Sequence, residues 1–454
     1  MYSAKPKTIK IDGLTYDVTN FDHPGGSIIG YAGANGDDAG NVFREFHARS
    51  HVAKRYLASL PRASTDADDG ADNACNACNA DSPKQQPDNE IQQDYLDMRA
   101  KLVEMGCFEP DPIHVYFRLM EIAFFFGLGV WLAPHNIYAS MFAFIMFKTR
   151  CGWVQHEGGH LSLTGNKPVD RGIQMLTMGL AGGMSGTLWN AMHHKHHATP
   201  QKIKHDIDLN TTPAVAFFKT AFEENTNGRA ASRYMNRWWM RFQSWLFLPV
   251  VNGIIVHGFW TYYLHPKRVI AAIRTAPTAQ KKWMHLAEAA CMLSCHIVLP
   301  GIFYARAGYS PLAAYGLLVL CNFWNVIYLF GHFSLSHTFT DVVPDTSNPG
   351  WIEYAIGHSV NISTESALVS WVMGYLNFQI EHHLFPSMPQ YKNAIASRHV
   401  RAFCAKWGAA DKSVMLKYRE YGYWDAWRKM FANLSDVGRH YFDNGIQKSG
   451  EKAD

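Results

Sequence analysis

The chain has 454 residues with a formal net charge of +4; 48% are hydrophobic, 14% aromatic and only 18% charged. An ordinary soluble domain has about 25% charged residues, so this balance excludes wholesale disorder and points to a membrane. The mean hydropathy of −0.17 implies a substantial polar part as well, and a pI near 8.5 is too mild for a nucleic-acid partner, which usually leaves a pI above about 9.

Histidine is the anomaly, with 23 copies against 20 prolines. The eight cysteines (Cys75, Cys78, Cys107, Cys151, Cys291, Cys295, Cys321, Cys404) are scattered, unlike a disulfide framework, and suit a reducing compartment. Residues 1–12 are polar with no apolar signal core, so the first unit is expected to stay in the cytosol. That unit, 1–62, carries YDVTNFDHPGG and, 24 residues after His23, His47 within NVFREFHARS. A histidine in a Pro-Gly-Gly turn is held on a rigid loop. Two imidazoles on opposing loops fill both axial positions of a b-type haem iron, a closed coordination suited to electron transfer. His51 is a rival for the second position, and a plain turn with a surface histidine is the bland alternative. Residues 63–90 are acidic, rich in Ala, Asn and Asp and without apolar period, which reads as a flexible linker. Cys75 and Cys78 there have no second pair nearby to form a metal site.

Residues 122–147 contain no Asp, Glu, Lys or Arg and are broken by Pro134-His135-Asn136. This predicts two membrane helices, about 114–133 and 136–155, with Arg118, Glu121, Lys148 and Arg150 toward their outer ends. Residues 286–305 and 311–331 predict a second pair. Residues 172–189 fit either a span or a re-entrant piece, and 244–264 are expected to lie in the interface. The segment between the pairs carries Lys195, Lys202, Lys204, Arg233, Arg237, Arg241, Lys267 and Arg268. The positive-inside rule then places it and both termini in the cytosol.

Three histidine clusters follow apolar blocks: His156 and His160 in HEGGH, His193, His196 and His197 in HHKHH, and His382 and His383 in QIEHH after Gln379. Positions i, i+3 and i+4 share one helical face, while His194 points elsewhere. With His337 after the fourth helix, eight imidazoles are available. That is more than one zinc needs and suits two iron ions that bind O2. HEGGH also matches the zinc-protease signature HExxH, yet a protease needs neither a haem unit nor two further clusters. A membrane haem electron carrier would leave the later histidines idle.

Residues 8–62 resemble a cytochrome b5 domain, with His23 and His47 at its axial positions. Residues 91–440 resemble the membrane fatty-acyl desaturases, and the haem unit with Gln379 opening the third cluster resembles the front-end class. The resemblance implies an all-α membrane fold over 91–454. Four transmembrane helices in two hairpins would carry a cytosolic, histidine-lined di-iron domain, beside a small α+β cytochrome b5-like haem domain. It implies eight iron ligands, His156, His160, His193, His196, His197, His337, His382 and His383, with Gln379 binding directly or through water. His205, Asp206 and Asp208 would support them. It further implies O2, a long-chain polyunsaturated acyl-CoA or acyl-phospholipid, an NADH-cytochrome b5 reductase, and an endoplasmic reticulum location. Δ6 chemistry is expected ahead of Δ5, then Δ8 or Δ4.

Overall fold

The computed structural model describes residues 8–23, 25–30, 38–63, 85–202, 206, 208, 209, 211, 212, 214–221, 237–343, 349–408 and 414–444. His205, Cys75 and Cys78 lie outside the described residues.

The N-terminal unit starts with β1 (Thr8–Ile11) and β2 (Leu14–Asp17), an antiparallel hairpin pairing Thr8 with Asp17 and Ile11 with Leu14. Alternation puts Ile9, Ile11 and Tyr16 inward, where they meet Val18 and Ala39. Helices α1 (Gly40–Phe46) and α2 (His51–Ser59) complete the unit. Its α1 is seated on α3 (Gln85–Glu104). Asn41 and Gln92 exchange side-chain hydrogen bonds at 2.8 and 3.0 Å, and buried Glu45 accepts from Arg99 and, at 3.2 Å, from Tyr95. Because α3 begins at Gln85, the last part of the expected linker is helical. Pro87 is tolerated in its first turn, and the Gln and Glu residues that follow favour helix.

Helices α4 (Pro112–Leu132) and α5 (Ile137–Gly159) flank the Pro134-His135-Asn136 break, where Asn136 caps α5 by accepting from Ala139 N–H. Ser140 Oγ donates to Gly129 O at 2.7 Å beside this turn, and at the other end Arg118 and Arg150 meet Glu121 at 3.1 and 3.7 Å. The two helices therefore run antiparallel. The 172–189 stretch is not one element. Gly183, with φ +65°, ends α6 (Lys167–Gly182), and Ser185 caps α7 (Gly186–Ala198).

A continuous helical stretch, α8 (Gln243–Thr275), precedes α9 (Ala279–Ala307) and α10 (Pro311–Ser334). Among the described residues, the helices long and apolar enough to cross a membrane are α4, α8, α9 and α10. This differs from expectation at two places. The helix expected at 136–155 forms as α5 but is not one of them, because its second half carries Lys148, Arg150, His156 and Glu157. The 244–264 stretch qualifies instead, as part of α8. It packs on α10: Leu248 lies by Gly331 and Trp260 on Phe330, while Gly253 between them meets Phe323. Phe144, Phe147, Leu299, Phe303 and Leu318 form the core shared by α5, α9 and α10.

Beyond α10, α11 (Trp351–Gly357), α12 (Gln379–Leu384) and α13 (Asn393–Gly408) enclose a second core with α3, containing Tyr95, Leu102, Trp351, Ile380, Phe385 and Trp407. The last helix, α14 (Tyr423–Asn444), packs on the start of α8, where Gln243 Nε2 donates to Leu434 O at 2.8 Å.

Candidate metal centre

Four segments deliver the imidazoles. His156 lies in the last turn of α5 and His160 caps it; His193, His196 and His197 occupy α7; His337 follows α10; His382 and His383 end α12. The two glycines of HEGGH are explained by crowding. A Cβ on Gly159 would lie 2.5 Å from the Trp189 ring, and one on Gly158 2.8 Å from Asp170 O. Their helix penalty of about 1 kcal/mol each is the cost of bringing α5 into contact with α6 at Gly158 and with α7 at Gly159.

All eight rings are buried and fall into two groups. His156, His160, His193, His197 and His382 offer ring nitrogens within 4.8 Å of one another, and so do His196, His337 and His383. Gln379 stands beside the second group, its amide nitrogen 3.1 Å from His337 Nε2. His194 joins neither group and instead lies against Phe46 of α1, ring centroids 5.3 Å apart.

The proton positions decide what the nest can hold. Gln390 accepts from His156 Nδ1, while its own amide nitrogen donates to Gly374 O at 2.8 Å. Asp208 accepts from His193 Nδ1 at 3.3 Å, Asp206 from His196 Nδ1 at 2.9 Å, and His358 O from His337 Nδ1 at 3.1 Å. Each of these rings thus carries its proton on Nδ1 and turns a bare Nε2 inward. His156 Nε2 lies 3.0 Å from His193 Nε2, and His193 Nε2 lies 3.1 Å from His197 Nε2. Facing lone pairs repel unless a cation sits between them. Two nitrogens bound at right angles to one ion at about 2.1 Å each would lie about 3 Å apart, so the donor set fits metal. Burial holds the pKa values of His197, His382 and His383 well below the ordinary range, with neighbouring histidine charge adding to the effect. They are neutral, as ligands must be. Burial also pulls His196 down, but Asp206 and Asp208 outweigh it and its pKa is raised.

Matching the chain to protein families gives the fatty acid desaturase model over residues 118–413. An acyl-lipid (8-3)-desaturase of Thraustochytrium sp is 37% identical over 441 residues, covering 96% of this chain and 93% of that protein. One from Rebecca salina is 38% identical over 436 residues, covering 95% and 91%. The chain belongs to the fatty acid desaturase family. Fatty acid desaturase 3 of Bos taurus, more distant, is 26% identical over 418 residues, covering 88% and 85%. The protein is therefore an oxidoreductase acting on fatty acyl chains, and a front-end desaturase in the general sense. A zinc protease and a bare electron carrier are set aside.

A desaturase needs room for its chain beside the metals. A cavity of about 580 Å³ touches His193, His196, His337 and Gln379 and continues between Met184, Phe217, Phe247, Leu329 and Phe330, a size usual for small-molecule sites.

In the N-terminal unit the rings of His23 and His47 lie 5.9 Å apart between centroids. Two imidazoles on opposite sides of one iron would be spaced about 6 Å, so the separation fits. Phe43 O accepts from His47 Nδ1 at 3.1 Å, leaving Nε2 bare. Gly25 N–H donates to His23 Nδ1 at 3.1 Å, and iron at Nε2 would move the ring proton to Nδ1 and replace that bond.

The sequence reading missed Gln390 and His358; Trp189, which lines the cavity, is stacked on His193 with centroids 4.2 Å apart. Gln390 and His358 lie far along the chain from the rings they orient, and no local spacing marks them. Asp206 and Asp208 were legible, because they follow the second cluster within one short loop.

Proposed function

We propose that the protein is a front-end desaturase in which all eight imidazoles are iron ligands and the N-terminal unit carries haem. The observation that carries this reading is the set of bare, facing Nε2 atoms beside a mainly apolar cavity of about 580 Å³. When bound, two irons would supply O2 activation, by which one O2, two electrons and two protons turn a –CH2–CH2– pair into a cis alkene and two waters. The chain's own part is positional. Asp206, Asp208, Gln390 and His358 fix the tautomers, Gln379 sits as a further side chain by the three-histidine group, and the apolar wall keeps water from the reacting carbons.

For regiochemistry we adopt Δ5 in place of the Δ6 expected from sequence. Two relatives at 37% and 38% identity are named (8-3)-desaturases, and we read that as a new bond three carbons from one at carbon 8, toward the carboxyl end. The same names favour an acyl-lipid over an acyl-CoA substrate. We propose two membrane hairpins, α4–α5 and α9–α10: α5 is less apolar than the four candidate spans but runs antiparallel to α4 and so brings the chain back, while α8, though long and apolar enough to cross, lies in the interface, since Leu248 and Trp260, twelve residues apart, both meet the 330–331 end of α10. Both termini are cytosolic, at the endoplasmic reticulum, within reach of an NADH-cytochrome b5 reductase. The seating of α1 on α3 favours a docked haem unit over the freely roaming one that a flexible linker implies.

The test is expression in a host without polyunsaturated acids, fed C18 and C20 acids in parallel. The expected product is a Δ5 bond in C20 acids already unsaturated at carbon 8. New Δ6 bonds in C18 acids alone would overturn the Δ5 assignment, and no new double bond in any acid would overturn the front-end reading.

A further inference from the structure

The far end of the cavity is polar, and nothing in the chemistry above uses it. Lys148 lines it eight residues before His156 on α5, about 12 Å along the helix axis from the histidines. Asn325 lines it at the same level, where its Oδ1 accepts from Thr149 Oγ1 at 3.2 Å. Asn252 lines it from α8 and is 4% exposed, yet its Nδ2 has no hydrogen-bond partner among the described residues. Asn252 sits in Phe247–Val256, where the helix widens to i→i+5 bonding around Pro249, and such widened turns are frequent at functional sites. Lys148 Nζ donates to Ala181 O and lies 3.8 Å from Cys295 Sγ, so its position is held.

A buried N–H with nothing to donate to is costly. Away from its head group, an acyl chain offers one kind of acceptor, the π face of a double bond. We propose that Asn252 and Lys148 read a pre-existing cis double bond toward the methyl end of the substrate, the amide N–H and the ammonium pointing at its π electrons. Contacts of both kinds are attractive, most of all where water is excluded. An extended chain advances about 1.2 Å per bonded atom, so 12 Å corresponds to about ten carbons beyond the reacting pair. With reaction at carbons 5 and 6, the double bond read lies near carbon 15. A C20 chain unsaturated at 8, 11 and 14 reaches this point with a double bond, whereas one unsaturated at 8 and 11 presents only methylenes. The inference rests on the desaturase reading of the cavity and adds its chain selectivity.

The experiment expresses the full chain in a host without polyunsaturates and supplies the 8,11-diene and the 8,11,14-triene as an equimolar pair. The wild type is expected to favour the triene by about five- to thirtyfold, the worth of two such contacts. Asn252→Leu and Lys148→Met, each purified with its iron content measured, are expected to bring the ratio toward one. Equal use of both acids by the wild type overturns the proposal, as does an undiminished preference in iron-replete variants. If a variant loses iron, the wild type alone decides with trienes whose third double bond is moved to carbon 17 or 18. Conversion must peak at 14, and a flat response overturns the proposal. Conversion of none of these acids by iron-loaded wild type counts against the desaturase reading itself and is thereby distinguished.

Discussion

The protein holds imidazoles at two places, and the two are built differently. His23 and His47 come from one small unit whose core is five buried side chains, and both rings are partly exposed. The other eight come from four segments spread between His156 and His383, all buried, and four of them, His156, His193, His196 and His337, have tautomers set by Gln390, Asp208, Asp206 and His358. On the proposed reading, a site made by one local unit tolerates exposure because it would exchange only electrons. A site that must keep water from a reactive oxidant needs a whole fold around it.

The largest effect is expected from removing a ligand on the large site. His383→Ala should lower bound iron and abolish product while leaving any haem absorbance of the N-terminal unit at its wild-type level. Metal analysis beside the visible spectrum reads both sites in one preparation. Full iron with product retained would undo the ligand assignment. His23→Ala is the mirror experiment: haem absorbance disappears, the non-haem iron stays, and desaturation falls to whatever a separate donor supplies. If activity survives with no donor added, the two sites are not in series.

Asp206→Asn should act more mildly. It leaves every ligand in place but weakens the acceptor that orients His196, and such losses cost about 10–100-fold in metal affinity. A competition titration with a chelator measures it. Acid should separate the two groups as well. Protonated imidazole cannot bind metal, and a ring whose pKa is raised takes its proton first as pH falls. His196 of the three-histidine group, pulled down by burial but raised overall by Asp206, is the one ring of the eight whose pKa is raised; its neighbours His337 and His383 are lowered by burial, as are His197 and His382 of the five-histidine group. Iron release on acidification is therefore expected in two steps, with the three-histidine group emptying at the higher pH. A single cooperative step would mean that the groups empty as one unit.

Much of this was legible from spacing. HEGGH, HHKHH and QIEHH each place rings on one helical face, and His337 was found from its place after a hydrophobic helix. Hidden from sequence was whatever depends on contact between distant segments. The glycines of HEGGH look like helix defects until Trp189 and Asp170 are seen against them. The α5 helix was read as a span with Lys148 and Arg150 toward its outer end, yet both are buried and turn inward. Arg150 Nη1 donates to Trp371 O at 2.7 Å, from a segment 221 residues away. The 85–90 stretch looked like linker because polar helix formers carry no apolar period.

The smallest effect on catalysis, and the sharpest test of docking, concerns the seam between the two regions. Glu45 of α1 is wholly buried and meets Arg99 of α3, which is itself 16% exposed. Burial raises the Glu45 pKa, an effect that the Arg99 charge opposes. Arg99→Met would leave the carboxylate buried with Tyr95 as its remaining side-chain partner, and breaking a buried pair this way costs up to about 3 kcal/mol. A carboxyl whose pKa is higher in the folded protein than in the unfolded chain costs stability as pH rises through that value and regains it as pH falls. The loss in Tm should therefore be greatest above neutrality and shrink on acidification, with both metal contents unchanged. Were the N-terminal unit to roam rather than dock, Glu45 would already be in water, and the substitution would leave Tm unmoved at every pH.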